Sequence, residues 1–264
     1  SPPLYSSAAS DVYKRQVAEL LLADDLTLAN LECSFSPRRL ESDSEYAFCG
    51  DPNYVQALVL GGVEAVTLSN NHTRDFGDAG LRDTEAALAE YGVAGIPGNQ
   101  GQCFELRHDN GDTLRLGAYV HPFNGSAKQM EDGCKRLRDE GADIIVAFMH
   151  AGAEKTYVPT KRQTALAHAA VKGGADVVVG THPHVLQPIE AYQGSVILYS
   201  IGNFCFAATG IRRTRTRSLP SSLCPAPART VRGRCPISPA ASAASPTGTT
   251  TGPPPVSYTH LTLP

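Results

Sequence analysis

The chain lacks the features that mark several common classes of protein. None of its apolar runs is long enough to span a bilayer, and no segment combines the basic start and apolar centre of a signal peptide. Its seven cysteines include no Cys-x-x-Cys pair, which argues against a zinc ribbon and against a dense disulfide scaffold. An apolar fraction of 42% nevertheless allows a sizeable core, so we expect a globular domain.

The two ends of the chain do not resemble a folded protein. Residues 6–16 can be back-translated into a transposon-based sequencing-library adapter, and residues 256–264 into the reverse complement of that adapter. Between Gly210 and Pro255 there is no Asp or Glu, and the Pro, Ser, Thr, Ala and Arg of this segment favour disorder. A shift of two bases would convert its start into a turn and a strand. We therefore predict that residues 1–16 are non-native, that 17–209 form the domain, and that 210–264 are a frameshifted, adapter-derived disordered tail.

Without these ends the chain is strongly acidic. Seven arginines follow residue 210, and Lys14, Arg15 and Asp11 precede residue 17. Residues 17–210 therefore hold 14 basic and 25 acidic residues, a net charge of −11. A nucleic-acid partner requires a high density of Lys and Arg, so we expect no nucleic-acid binding.

Strands and helices alternate along the domain. Apolar periodicity and capping residues predict strands over 26–30, 63–68, 144–148 and 175–179, helices over 51–60, 78–91, 128–140 and 159–172, and two hairpins that turn at Asn110-Gly111 and Gln193-Gly194. Asp51 and Asp78 are the predicted N-caps of the first two helices. This order predicts an α/β domain with a mixed sheet, or two sheets covered by helices.

The most informative motif, Gly180-Thr181-His182-Pro183-His184, follows the apolar run 175–179. A short β-branched run that ends at glycine is typical of a buried strand in a parallel or mixed sheet. Ligands of open α/β sheets bind just beyond the carboxyl ends of such strands. Two imidazoles at this position are well placed to hold metal, although one His-x-His alone is weak support.

Two other predicted strands also end in polar side chains. Glu32 follows the first strand, where a carboxylate could bind metal or simply be solvated. Asn70-Asn71-His72 follows the second, and His72 could act there as an acid or base, or the segment could be a turn capped by Asn. Asp75 could orient His72 or begin the turn.

A further strand ends at His150, in a segment where Glu154 could accept a hydrogen bond from a ligand histidine or be an exposed loop charge. His168 is interpreted as a surface residue.

The candidate metal ligands are Glu32, Asn71, His150, His182 and His184. Nitrogen and oxygen ligands without thiolate suit Mn²⁺, Fe or Zn²⁺, and five ligands exceed the needs of one structural ion, so we expect two adjacent divalent metals.

The ordered motifs Asn30-Leu31-Glu32, Asn70-Asn71-His72-x-x-Asp75-x-Gly77, His150-x-Gly152-x-Glu154, Gly180-x-His182-Pro183-His184 and Tyr199-Ser200-Ile201-Gly202-Asn203-Phe204 resemble one known family. They are similar to the poly-γ-glutamate capsule-biosynthesis (CapA-type) family of the calcineurin-like metallophosphoesterase superfamily. The resemblance covers about residues 17–206. It implies a four-layer α/β/β/α sandwich, incomplete here at both ends, with a dinuclear metal centre between the sheets.

The resemblance also implies roles for individual residues. Asn71, His150 and His182 would hold one metal, and His184 would help to hold the other. Glu32 would stand at the position of the bridging carboxylate, and His72 would be the general acid. Asn203 lies in a family motif without an assigned role and could be a turn amide.

This chain departs from the family pattern at its start. The family begins with a strand that ends in Gly-Asp, whose Asp binds the first metal, and adapter sequence stands there instead. We therefore expect a truncated domain that lacks one metal ligand. Family members are often exported or anchored in the membrane through the N-terminus, which suggests the bacterial cell envelope for the native protein.

Three functions are compatible with these features. The first is a metal-dependent hydrolase that resembles phosphoesterases. The second is a component of an envelope polymer-synthesis complex that binds an anionic polymer, or that cleaves or transfers its amide bonds. The third is an inert fragment, because a domain with a missing ligand and open sheet edges is prone to aggregate.

Overall fold

The structure is a computed structural model that describes residues 17, 20–38, 41–42, 46–107, 110–206 and 257–262. It contains helices α1 (Gln56–Leu60), α2 (Gly77–Glu90), α3 (Ala127–Asp139) and α4 (Lys161–Lys172), and a 3-10 turn at Pro52–Val55 leads into α1. The strands are β1 (Thr27–Leu31), β2 (Ser34–Phe35), β3 (Cys49–Gly50), β4 (Ala65–Leu68), β5 (Ala94–Pro97), β6 (Gln100–Arg107), β7 (Thr113–Val120), β8 (Ile144–His150), β9 (Val177–Thr181), β10 (Ile189–Tyr192), β11 (Ser195–Leu198), β12 (Cys205–Phe206) and β13 (Ser257–Thr262). The prediction of a mixed α/β chain is confirmed.

The first sheet is parallel, with the strand order β12-β13-β1-β4-β5. β13 lies beside β1, where Ser257 is opposite Thr27. The sequence assigns residues 210–264 to a disordered, adapter-derived tail, whereas the structure has a strand at Ser257–Thr262 within that range. Without β13, the edge of β1 that faces it would expose a row of unpaired backbone groups. The β13 segment contains Tyr and Thr, residues that readily form strands. Residues 1–16 and 207–256 lie outside the described residues, so the rest of the prediction for the two ends stays a prediction.

The second sheet is mixed, with the strand order β10-β11-β9-β8-β7-β6. Its four inner strands are parallel, and each edge strand pairs antiparallel with its neighbour through a hairpin. Both hairpins turn where the sequence predicts, with φ of +90° at Gly111 and of +49° and +88° at Gln193 and Gly194. Within β9, a Cβ on Gly180 would lie 2.0 Å from the carbonyl oxygen of Tyr199, so only glycine fits there. A short third sheet pairs β2 with β3.

Buried apolar side chains form three clusters. One is shared by the two large sheets and includes Leu28 of β1 and Leu116 of β7. The second joins the first sheet to α2 and includes Val66 and Leu88. The third joins the second sheet to α3 and α4 and includes Ile145. The two sheets therefore share a core, and each also packs against helices.

Side-chain caps mark the starts of α3, α4 and the 3-10 turn before α1. Ser126 and Thr160 each form a capping box at the start of α3 and α4, and Asp51 caps the 3-10 turn by accepting a hydrogen bond from a backbone amide. The prediction that Asp78 is an N-cap is wrong, because α2 begins one residue earlier and its N-cap is Phe76. The Asp78 carboxylate instead pairs with a nearby arginine.

Within the described part of the chain, no helix has the length and the apolar character that crossing a membrane requires.

Candidate metal centre

The predicted metal ligands come together at one edge of the two large sheets. Glu32 follows β1 and Asn71 follows β4 in the first sheet, whereas His150 ends β8 and both His182 and His184 follow β9 in the second. Each of these side chains lies at the carboxyl end of a parallel strand, which is where α/β sheets place their ligands.

Glu32 lies at the centre of this cluster. Its side chain is 0% exposed, and its Oε1 atom lies 3.5 Å from Nε2 of His150 and 3.7 Å from Nε2 of His184. Asn30 donates a hydrogen bond of 3.4 Å from Nδ2 to the other carboxylate oxygen. Burying an uncompensated charge is costly, so this carboxylate must share its charge with protons or with a cation.

The ring of His150 is held at both of its nitrogen atoms. Nε2 lies 2.7 Å from Oδ1 of Asn71, and Nδ1 lies 2.8 Å from the hydroxyl oxygen of Thr181. The ring centroid is 4.8 Å from that of His182. These contacts fix the ring so that Nε2 faces two oxygen ligands, one from Asn71 and one from Glu32.

The backbone of His182 and His184 is in the left-handed region. Their φ angles are +98° and +57°, values that residues other than glycine seldom adopt and that a rigid surrounding structure must maintain. One such restraint is the backbone amide of Lys155, which donates a 2.8 Å hydrogen bond to the carbonyl between the two histidines. Nδ1 of His184 lies 2.8 Å from Oδ1 of Asn203, which directs the other ring nitrogen into the cluster.

His182 supplies a nitrogen that fits a metal ligand. Its buried Nδ1 makes no hydrogen bond with any residue that the structure describes. Desolvation lowers the pKa of His182, and this effect exceeds the opposing attraction of Glu32 and Glu154. This shift favours the neutral ring, which is the form in which histidine binds metals. Glu32, His182 and His184 each offer a ligand atom within 4.8 Å of the others, and this set of nitrogen and oxygen donors fits a divalent transition metal.

His72 and Asp75 form a pair beside this cluster. Nδ1 of His72 lies 2.9 Å from Oδ2 of Asp75, and the same oxygen accepts a 2.9 Å hydrogen bond from the backbone amide of Phe48. The Phe48 ring packs edge-on against the imidazole, with a centroid distance of 4.5 Å. His72 keeps 13% of its side chain exposed, whereas Asp75 keeps 5%. Asp75 thus orients His72, and the remaining ring nitrogen can exchange a proton with a bound molecule.

Asn70 joins the His72 loop to the end of β1. Its Nδ2 donates a 2.7 Å hydrogen bond to the carbonyl of Leu31, and its Oδ1 accepts hydrogen bonds from the His72 amide and the Thr73 hydroxyl. The amide therefore positions the loop relative to Glu32, which follows Leu31 directly.

The sequence does not predict three of these contacts. Thr181 contacts His150, the Phe48 amide contacts Asp75, and Asn203, whose role the sequence leaves open, contacts His184. The strand register would have revealed the first, because Thr181 is directly opposite His150 in neighbouring parallel strands.

Glu154, a candidate site residue, and His168, interpreted from the sequence as a surface residue, lie outside the cluster. The sequence allows Glu154 to be either a hydrogen-bond acceptor for a ligand histidine or an exposed loop charge. Glu154 is exposed on the loop after β8, so the second interpretation fits the structure better. His168 of α4 stacks on Tyr192 at a centroid distance of 3.8 Å and lies 3.2 Å from the Glu190 carboxylate, as expected of a side chain at the surface of the domain.

Comparison with known proteins gives a consistent result. The family model described as bacterial capsule synthesis protein PGA_cap matches residues 5–100 and 98–208, a range that includes every residue of the cluster. It also includes residues 5–16, most of which the sequence assigns to the adapter.

The relatives also carry capsule and polymer names. The chain is 30% identical to the PGA biosynthesis protein CapA of Bacillus subtilis over 230 residues, covering 80% of this chain and 60% of that protein. It is 30% identical to the capsule biosynthesis protein CapA of Bacillus anthracis over 239 residues, covering 80% and 57%. It is 28% identical to a probable polyglutamine synthesis accessory protein of Mycobacterium tuberculosis over 216 residues, covering 69% and 55%.

The chain thus spans less than two thirds of the length of these three relatives. Because the family model covers most of the chain and the predicted motifs fall within the match, the chain belongs to the bacterial capsule synthesis protein family PGA_cap, the CapA family.

Proposed function

We propose that this chain is a metal-dependent hydrolase that acts on an anionic substrate in capsule polymer synthesis. The observation that carries the proposal is the position of Glu32, which is fully buried and faces imidazole nitrogens of His150 and His184. The buried Nδ1 of His182, which has no hydrogen-bond partner among the described residues, supports it. A hydrophobic core gains nothing from such a cluster, whereas a metal centre requires one.

Two divalent ions, Mn²⁺, Fe²⁺ or Zn²⁺, would occupy the cluster. Asn71, His150 and His182 would hold one, and His184 would contribute to the other, with Glu32 shared between them. When bound, such ions supply Lewis-acid stabilisation of the negative charge that develops in hydrolysis.

His72 would act as the general acid. Asp75 holds its Nδ1, so a proton on the opposite ring nitrogen is available to the leaving group of the substrate. Phe48 packs edge-on against the ring and so limits its motion. The roles of Asp75 and Phe48 are thus to orient the proton donor rather than to touch the substrate.

We also propose the four-layer α/β/β/α arrangement for the domain. The cluster shared by the two sheets supports a central β/β layer pair, and the separate clusters of each sheet with its helices support an outer helical layer on each side. In this arrangement the metal centre would lie at the edge of the central layers.

The substrate class is a phosphoester or an anionic polymer. The metal cluster and its general acid favour a phosphoester, since two-metal sites are common in phosphatases and nucleases. The native protein would work at the cell envelope, within a polymer-synthesis complex, and would reach the membrane only through an N-terminal anchor.

A direct assay tests the hydrolase proposal. The metal-stripped full chain is supplied with Mn²⁺ or Zn²⁺, and turnover of bis(p-nitrophenyl) phosphate and of γ-glutamyl p-nitroanilide is measured. We expect phosphodiester turnover that a chelator abolishes and that His72→Ala lowers by about 10²–10⁴-fold, the usual contribution of a general acid. His168→Ala, a histidine outside the cluster, is the matched control. Metal-independent turnover, or equal rates in the His72 variant, would contradict the proposal.

A second candidate function is polymer binding or amide-bond chemistry. The names of the relatives favour it, because they refer to PGA biosynthesis and polyglutamine synthesis. Turnover of the γ-glutamyl amide alone would favour amide chemistry. Co-sedimentation with poly-γ-glutamate that a chelator abolishes, without turnover of either substrate, would favour binding.

A further inference from the structure

We propose that the Thr181 hydroxyl is a positioning group that lets His150 exchange one neutral tautomer for the other when the cluster takes up a metal ion. This inference rests on the proposed metal centre. It concerns a residue to which neither the motifs nor the family resemblance assign a role.

The strand register places Thr181 beside the ring of His150. The two residues are directly opposite in the parallel strands β8 and β9, so their side chains project from the same face of the sheet. Thr181 is 4% exposed, and its Oγ1 lies 2.8 Å from Nδ1 of His150 and 3.4 Å from the carbonyl oxygen of Met149. The hydroxyl therefore has two acceptors within reach, a ring nitrogen and a backbone carbonyl.

Without metal, the contacts specify one tautomer. Oδ1 of Asn71 lies 2.7 Å from Nε2 of His150, and an amide oxygen only accepts hydrogen bonds. In the neutral ring Nε2 therefore carries the proton, and Nδ1 then accepts the hydrogen bond that the Thr181 hydroxyl donates. Both ring nitrogens and the hydroxyl are then satisfied, as buried polar groups require.

With metal, the same contacts accommodate the other tautomer. A metal ligand must offer the lone pair of Nε2, so the proton leaves Nε2 and a proton is taken up at Nδ1, and the ring stays neutral. Nδ1 then donates to Oγ1 of Thr181, and the hydroxyl turns its own proton to the carbonyl of Met149. A hydroxyl can do this because it both donates and accepts, whereas a methyl group in its place would leave a buried N–H unsatisfied.

The experiment measures the tautomer and the zinc affinity separately. Nitrogen chemical shifts of His150 in ¹⁵N-histidine-labelled full chain report which ring nitrogen carries the proton, and calorimetric titration with Zn²⁺ reports affinity. We expect a proton on Nε2 without zinc and on Nδ1 with zinc. Thr181→Val should lower zinc affinity by about 10–100-fold, the usual effect of removing a group that orients a ligand histidine. Thr181→Ser should stay within about threefold of the unsubstituted chain, as should Thr113→Val, an exposed threonine of β7.

The outcomes separate this inference from the proposed function. Failure of the unsubstituted chain to bind zinc would contradict the metal centre itself, and the tautomer exchange with it. Tight zinc binding that Thr181→Val leaves unchanged, or that Thr181→Ser does not restore, would overturn only the role of Thr181. A proton already on Nδ1 in the zinc-free chain would also overturn it, and that measurement needs no variant that must fold.

Discussion

Nε2 of His150, the last residue of a strand in the second sheet, lies 3.5 Å from Oε1 of Glu32, which follows a strand in the first sheet. The pair therefore connects the two sheets at the edge where the candidate ligands meet. It can form only when both sheets pack against their common core, so the candidate site depends on the complete tertiary fold rather than on either sheet alone.

Glu32→Gln should weaken metal binding while leaving the stability of the fold nearly unchanged. The variant keeps the shape of the side chain but removes a buried negative charge, so we expect metal affinity to fall by at least about tenfold. The free energy of unfolding of the metal-free chain should fall by no more than about 1 kcal/mol, because a buried charge contributes little net stability. Calorimetric titration and thermal melting measure the two effects, with Glu85→Gln on the exposed face of α2 as control. A strongly destabilised variant with unchanged metal affinity would make Glu32 a structural residue instead.

Asp75→Asn should act through His72. The variant no longer holds the imidazole by its charge, so we expect kcat for the phosphodiester to fall by about 10–100-fold while metal affinity changes less than about threefold. In the double variant with His72→Ala, the loss should be no larger than in His72→Ala alone, because the two residues act as a unit. Additive losses would indicate that Asp75 works independently of His72.

Gly180→Ala should destabilise the domain and disturb the site together. Its Cβ would lie 2.0 Å from a backbone carbonyl oxygen, which cannot move without shifting β11. We expect a loss of more than about 2 kcal/mol in the free energy of unfolding. Gly92→Ala is the matched control, since Gly92 has a φ of +74° with nothing within 4 Å of its Cβ position and should lose only about 1 kcal/mol. Equal losses in denaturant unfolding of the two variants would show that β9 and β11 tolerate a wider separation.

Local patterns in the sequence predict most of the elements that hold the site. The candidate ligands Glu32, His150 and His182 each follow or end an apolar run, and this position at a strand end predicts their convergence once the sheets are assumed parallel. The hairpins at Gly111 and Gly194 are also predictable, because their turns require backbone angles that glycine supplies.

Contacts that depend on register or on distant segments are not predictable in this way. Thr181 contacts His150 only through the pairing of β8 with β9, and the Phe48 amide reaches Asp75 from a loop far from it in the chain. Ser257 and Thr27, which pair in neighbouring strands, are even farther apart in the chain, and the sequence sets residues 256–264 aside as adapter-derived. The N-cap prediction at Asp78 fails for a different reason, since α2 begins at Gly77 and Phe76 is its N-cap.

The metal dependence of thermal unfolding tests whether the folded chain binds metal ions at the cluster. The full chain, stripped with a chelator, is melted at increasing concentrations of Zn²⁺ or Mn²⁺, beside His182→Ala. A cluster that binds metal in the folded state should raise the melting temperature progressively, by an amount equivalent to about 2.7 kcal/mol at a free metal concentration of 100 Kd. We predict this rise for the unsubstituted chain and its loss in the variant. A melting temperature that stays constant over the whole range of metal concentrations would show that the folded chain does not bind these ions.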